Sequence, residues 1–218
     1  RGYTETLNDG VITDEAMVNE YYRKMLTECR SMERLVGDLF ILSKMQNPDF
    51  KIEKEPVSIR QVFGDVLRSA REIARKKNIT ITQKLSVDDE EPCMILGDYE
   101  RLRQMFMIIV DNAVKFSYES GEIIISIEKR VTPKKQAKIY VSIQDFGVGI
   151  SKEALPYIFE KFYKSKLKQN QKGTGLGLMI AKQIALRHGC DIMVESEIEQ
   201  GTKFAFEFEE CVSMDEYE

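Results

Sequence analysis

The chain has a single histidine, His188, among its 218 residues. Its four cysteines, Cys29, Cys93, Cys190 and Cys211, show no CxxC spacing. Cysteines so placed exclude a disulfide framework and point to a reducing compartment. Long apolar runs are missing too. The longest strongly apolar stretch is Met105 to Val110, far short of the ~20 residues that span a bilayer. Nor is there an excess of basic charge: 32 Lys and Arg against 36 Asp and Glu leave a net charge of -4. That excludes wholesale nucleic-acid binding, which needs a basic field. What remains is the balance of a globular chain, 43% apolar and 31% charged, with room for one large domain or two small ones.

The chain opens at Arg1 without a methionine and runs straight into a helical pattern, as expected of a fragment of a longer protein. Residues 1–47 read as a helical hairpin. A first helix ends at the stop signal Asn8-Asp9-Gly10, and Thr13 caps a long second one. In that second helix Val18, Met25, Met32 and Leu39 recur every seven residues. Leu35 and Leu42, then Tyr22, Cys29 and Val36, widen the stripe to the breadth of a bundle interface. The first helix is too short to cover it, so a partner surface or the rest of this chain is implied. Residues 48–56 read as a linker, 57–210 as a mixed α/β unit, and 211–218 as an acidic tail.

Within 57–210 the pattern predicts helices over 60–77, 98–116 and 176–187. It predicts strands over 79–85, 93–96, 122–129, 138–144, 191–196 and 202–209. The expected architecture is α+β, a two-layer sandwich in which a mixed sheet of about five strands carries helices on one face. Residues 88–92 and 165–172 read as loops, the second rich in lysine.

Two glycine clusters carry the chemistry. "DFGVGI" follows a predicted strand, and "KGTGLGL" opens a helix. Such glycines let backbone approach a ligand and turn N–H groups outward, and a helix start favours phosphate. The same residues also suit an ordinary loop and cap. Common phosphate templates do not fit. There is no Gly-Lys-Ser/Thr, and the third residues after Gly149 and Gly175 are Lys152 and Leu178. Asp145-Phe146-Gly147 spells a protein-kinase magnesium triplet, but such a kinase needs an HRD loop upstream, and His188 lies downstream. On the helix over 98–116, ~100° per residue sets Asn112 on the shoulder of the apolar stripe, with Lys115 three residues on. An amide oxygen suits Mg²⁺ and a lysine suits phosphate; a solvated helix edge would look the same.

In chain order, five stretches resemble the boxes of the sensor histidine kinase ATP-binding domain, in the Bergerat superfamily shared with gyrase and MutL. "DNAVKFS" (111–117) is similar to its N box, "DFGVGI" (145–150) to its first glycine box and "FEKFYK" (159–164) to its F box. "GTGLGL" (173–178) is similar to its second glycine box, and "QGT" (200–202) to its last. "RGYTETL" resembles the stretch just after the phosphoacceptor motif in a hairpin that dimerises into a four-helix bundle.

The resemblance implies a Mg²⁺- and ATP-dependent phosphotransferase of a two-component system. It also implies a homodimer, a cognate response regulator as partner, and a cytoplasmic site of action. Asn112 is expected to coordinate Mg²⁺, and Lys115 and Lys164 to contact phosphate. Asp145 is expected to accept a hydrogen bond from the adenine amino group, supported by Thr202. Gly147 and Gly149 would leave room for the base, with Ile150 beside it. Phe159 and Phe162 would anchor a lid, and Gly173, Thr174, Gly175, Leu176, Gly177 and Leu178 would close over the phosphates. Lys161, Lys164, Lys166, Lys168 and Lys172 make the lid basic, either to attract nucleotide or merely as a solvated loop. Two departures stand out. Ile108 occupies a position where many relatives have asparagine, and the HELRTPL-like phosphoacceptor motif is absent, expected just upstream of Arg1. The Ile108 position also argues against a MutL- or gyrase-type ATPase, which needs a glutamate there. His188 sits at a helix end before a turn, where a structural role is expected.

Overall fold

The computed structural model describes residues 2–12, 14–47, 49–85, 93–131, 137–165 and 173–211. Helices α1 (Tyr3–Asn8) and α2 (Glu15–Gln46) form the N-terminal pair, with Tyr3 packed edge-on against Tyr21. Asp14, not Thr13, caps α2: its Oδ1 accepts the Met17 N–H at 2.9 Å. A carboxylate there also complements the positive end of the helix dipole; Thr13 itself lies outside the described residues. Most of the α2 stripe is bare. Tyr22, Met32, Val36 and Leu39 are exposed, whereas Leu42 and Met45, at the C-terminal end, enter the core.

A short strand that the sequence did not announce follows. β1 (Glu55–Ser58) pairs antiparallel with β3 (Met94–Gly97), Val57 opposite Ile95. Ser58 then starts α3 (Ile59–Arg75), its Oγ accepting the Gln61 N–H. Asp98 starts α4 (Tyr99–Phe116) in the same way, through the Arg101 N–H. The main sheet holds β2 (Thr80–Leu85), β4 (Glu122–Val131), β5 (Ala137–Asp145), β6 (Ile192–Glu197) and β7 (Gly201–Glu209). Its order is β2-β4-β5-β7-β6; β2 and β4 run parallel and the other pairs antiparallel. A 3₁₀ turn (Leu155–Tyr157) and α5 (Gly177–Arg187) lie between β5 and β6.

The expected α+β sandwich is what forms. Period-two alternation sends Ile123, Ile125 and Ile127 of β4, Ile139, Val141 and Ile143 of β5, and Phe204, Phe206 and Phe208 of β7 to one buried face. The apolar stripes of α3 and α4 cover it. Phe106 of α4 sits at the centre, 4.4 Å from the Phe63 ring and edge-on to Phe206 at 5.3 Å.

Helix α2 is fastened to α5 by more than its two buried side chains. Arg187 spreads its guanidinium over the end of α2, donating to the carbonyls of Met45, Asn47 and Phe50 at 2.6–3.1 Å. Those carbonyls have no helical partner beyond the C-terminus, so a cation with several donors satisfies them together.

Candidate functional site

Asp145 ends β5 and faces Thr202 across the ladder to β7. Both are buried, 4% and 6% exposed. One Asp145 carboxylate oxygen accepts the Gly147 N–H at 2.9 Å. Burial pushes the carboxyl up to about 6, against the lowering pull of backbone N–H groups of Gly147 and Thr202. The counterweights are thus backbone dipoles rather than a cation.

Ser196 of β6 organises this corner, and sequence reasoning missed it. Its Oγ accepts the Ile150 N–H at 2.8 Å and donates to the Gly201 carbonyl at 2.8 Å. With that proton spent, the 2.9 Å contact to Thr202 must run from the Thr202 hydroxyl to Ser196. A signal was present: Ser196 continues the partly buried side of β6 after Ile192 and Val194, where an apolar residue is the usual choice.

The glycines of the first cluster are needed for backbone packing. A Cβ on Gly147 would lie 2.1 Å from the Phe116 carbonyl oxygen, and one on Gly149 (φ +67°) 1.9 Å from that of Glu197. Thus the space they free is filled by α4 and β6 backbone. The Val148 N–H donates to the Phe116 carbonyl at 3.2 Å. The C-terminal end of α4 is thereby joined directly to the Asp145 turn.

Asn112 and Lys115 lie in the last two turns of α4, the helix whose end this bond joins to the Asp145 turn. Asn112 is half-buried, and among the described residues no hydrogen bond engages its amide. Lys115 is half-buried with its ammonium over the Phe116 ring at 5.0 Å. Burial lowers its pKa; Asp111 opposes this, while Arg34 and Lys164 add to it. Lys115 therefore senses two further cations: Lys164, which was expected, and Arg34 of α2, which was not. Ile108 faces α5, where a Cβ on Gly177 would meet it at 3.3 Å.

The second glycine cluster is divided between surface and core. Gly175 (φ +75°) comes so close to Phe162 that a Cβ would lie 2.8 Å from its backbone, and the Phe162 N–H donates to the Gly175 carbonyl at 2.9 Å. Gly173 and Thr174 precede α5, and Thr174 donates to Asp38 of α2. Leu176 is fully buried and Leu178 partly so, both in the hydrophobic core. Their side chains therefore pack the protein and leave only backbone for a ligand. Phe159 packs on the core under the Lys182 ammonium, whereas the Phe162 ring is exposed and held only by its backbone. Lys164 is exposed, and Ile150 packs partly on the core. Lys166, Lys168 and Lys172 lie outside the described residues.

His188 is structural, but not as a cation on a helix dipole. Its Nδ1 lies 2.7 Å from the Ile184 carbonyl, and its Nε2 accepts the Asp98 N–H at 3.0 Å. Both contacts together require the neutral ring with the proton on Nδ1, and burial lowers its pKa accordingly. Gly97 leaves space for the ring: a Cβ there would lie 3.0 Å from it.

Comparison with known proteins gives this arrangement a context. Residues 97–211 match the family described as histidine kinase-, DNA gyrase B-, and HSP90-like ATPase. The chain is 29% identical over 208 residues to sensor histidine kinase WalK of Bacillus subtilis, covering 94% of this chain and 33% of that protein. It is 30% identical over 209 residues to phosphate regulon sensor protein PhoR of Pseudomonas aeruginosa, covering 95% and 45%. The chain thus spans a third to under half of these relatives. The solved structure of full-length ShkA in complex with AMPPNP superposes with a TM-score of 0.72 at 26% identity, over 93% of this chain and 41% of that one.

Proposed function

This chain belongs to the family of histidine kinase-, DNA gyrase B- and HSP90-like ATPases, and we propose that it is the ATP-binding catalytic region of a two-component sensor histidine kinase. In that reading it delivers the γ-phosphate of Mg-ATP to a histidine of a dimerisation hairpin, as a homodimer that passes phosphate on to a response regulator. The observation that supports it most is the junction of α4 with the Asp145 turn. It joins the helix that carries a half-buried lysine and, among the described residues, an unengaged amide to the turn that follows a buried carboxylate. The relatives named above favour a sensor kinase over a MutL- or gyrase-type machine.

Each group then has a task. Asp145, anionic above about pH 6, accepts the adenine amino hydrogen, and Thr202 and Ser196 hold the corner rigid. Lys115 and Lys164 meet phosphate oxygens, and Gly173 to Gly175 present backbone N–H groups to them. The residues fit Mg²⁺ of a particular kind. Among the described residues no group of three His, Cys, Asp or Glu could cage a metal, and Asn112 offers one free amide. That suits an ion carried mainly by phosphates and water. When bound, Mg²⁺ neutralises charge on the phosphates. In the transfer the bond from the γ-phosphorus to the β,γ-bridging oxygen breaks, and a bond to the acceptor imidazole nitrogen forms. ADP leaves and the imidazole loses a proton. The protein contributes positioning and electrostatics.

The bare apolar stripe of α2, with Tyr22, Met32 and Val36 exposed, supports dimerisation through the hairpin. Among the described residues no helix is long and apolar enough to cross a membrane; the four cysteines are free, which accords with a cytoplasmic setting. Titration calorimetry should show Mg-dependent ATP binding. Incubation with labelled ATP should leave no acid-labile label on this chain alone, yet label a partner hairpin bearing the HELRTPL-like motif. Stable label on this chain alone would refute the assignment.

A further inference from the structure

The Thr174 hydroxyl donates to the Asp38 carboxylate at 2.8 Å, joining the second glycine cluster to α2 across 136 residues of sequence. The same oxygen accepts the Leu176 N–H at 3.3 Å. Helix α5 starts one residue later, and no side chain caps its first turn. A hydroxyl has one proton to give, and this one is given to an anion. The segment assigned to phosphate thus already serves a carboxylate.

Asp38 does not depend on this contact for its place. Leu42 and Met45, one and two turns further along α2, are buried, Arg187 clamps the helix end, and Lys161 donates to Gln46 at 3.1 Å. Arg34 stands one turn before Asp38 on the same face of α2. Its charge reaches Lys115 of the site. At Asp38 this side of α2 therefore touches the segment assigned to phosphate.

We propose that Asp38 is a positioning residue of the nucleotide site, whose carboxylate holds Thr174 against α2 in competition with the phosphates of the nucleotide. The inference rests on the ATP-binding reading above. A triphosphate that engages the segment settles near the like charge of Asp38, and where it meets the Thr174 hydroxyl it must accept the hydrogen bond now given to Asp38. ATP binding and release of Thr174 from Asp38 therefore favour each other, and the coupling is reciprocal. Adenosine, which has no phosphate, is indifferent to it.

The test compares ATP, ADP and adenosine by calorimetry on the 218-residue chain and its Asp38→Asn and Asp38→Ala variants. Both substitutions should tighten ATP roughly three- to tenfold and ADP less, with adenosine unchanged, because the repulsion scales with ligand charge. Added salt should shrink the difference. A merely structural Asp38 would lower thermal stability and leave ATP affinity unchanged or weaker, overturning the proposal. If the unaltered chain binds no ATP at all, the proposed function fails first and this inference falls with it.

Discussion

Asp145 and His188 are both buried titratable groups at the end of a secondary-structure element, yet they are held in opposite ways. His188 is closed on both sides: one ring nitrogen meets the Ile184 carbonyl and the other the Asp98 N–H, so the ring bolts the end of α5 to the start of α4. Among the described residues Asp145 is held by backbone N–H groups alone, and burial leaves it close to neutralisation. A residue whose hydrogen bonds all stay inside the protein belongs to stability. One that remains charged at a cost, met only by backbone among the described residues, is a candidate for recognition.

The sharpest attempt to break that contrast is His188→Ala. It removes the ring and strands the Asp98 N–H and the Ile184 carbonyl, so stability should fall by about 3 kcal/mol in chemical denaturation. Below the new melting range, ATP affinity should hold. A large loss of affinity with intact folding would contradict the structural role.

Asp145→Asn should do the reverse. A hydrogen bond to a charged acceptor contributes about 1.5–3 kcal/mol, so ATP should bind roughly ten- to a hundredfold more weakly in calorimetry. Stability should hold or rise, because a buried charge without a cation has been removed. An equal loss for GTP would deny Asp145 its adenine contact. Asn112→Ala should act more narrowly, cutting the gain in ATP affinity on adding Mg²⁺ while leaving adenosine binding alone. If Asp145→Asn abolishes the Mg²⁺ effect and Asn112→Ala does not, the two roles are exchanged.

The contrast also explains what could be read in the sequence. The sheet and the helix layer were legible because period-two runs such as Phe204, Phe206 and Phe208, and the stripe through Leu102, Phe106 and Ile109, are local signals. Asp145, Asn112 and Lys115 could be nominated as site residues because they sit in ordered motifs. β1 was not, since four residues containing Pro56 make a strand only when β3 lies alongside. Arg34 and Asp38 were hidden for the same reason: each meets groups distant in sequence, and nothing local marks it, while Ser196 left only the faint signal of a polar residue on the partly buried side of β6. The leucines of the second glycine cluster show the converse. Their motif suggested a ligand, while their side chains obey the core.

The smallest effect is one of pH, and it sets the two groups against each other directly. Burial lowers the pKa of folded His188 below its ordinary 6.5. The unfolded chain then binds the extra proton, so this contribution is intact above about pH 6.5 and is lost as pH falls through the folded value. Folded Asp145 is raised from 3.8 to about 6. Here the folded chain holds the extra proton, so its contribution is full below 3.8 and is lost as pH rises through 6. Where the two windows overlap, between the folded His188 value and about pH 6, the two slopes have opposite sign and partly cancel. Asp145→Asn removes only one of them. The variant's melting temperature should therefore fall more steeply than that of the unaltered chain as pH drops through this window, and His188→Asn in the same background should flatten it. Parallel melting curves for the unaltered chain and Asp145→Asn would mean that Asp145 does not carry the raised pKa its burial implies.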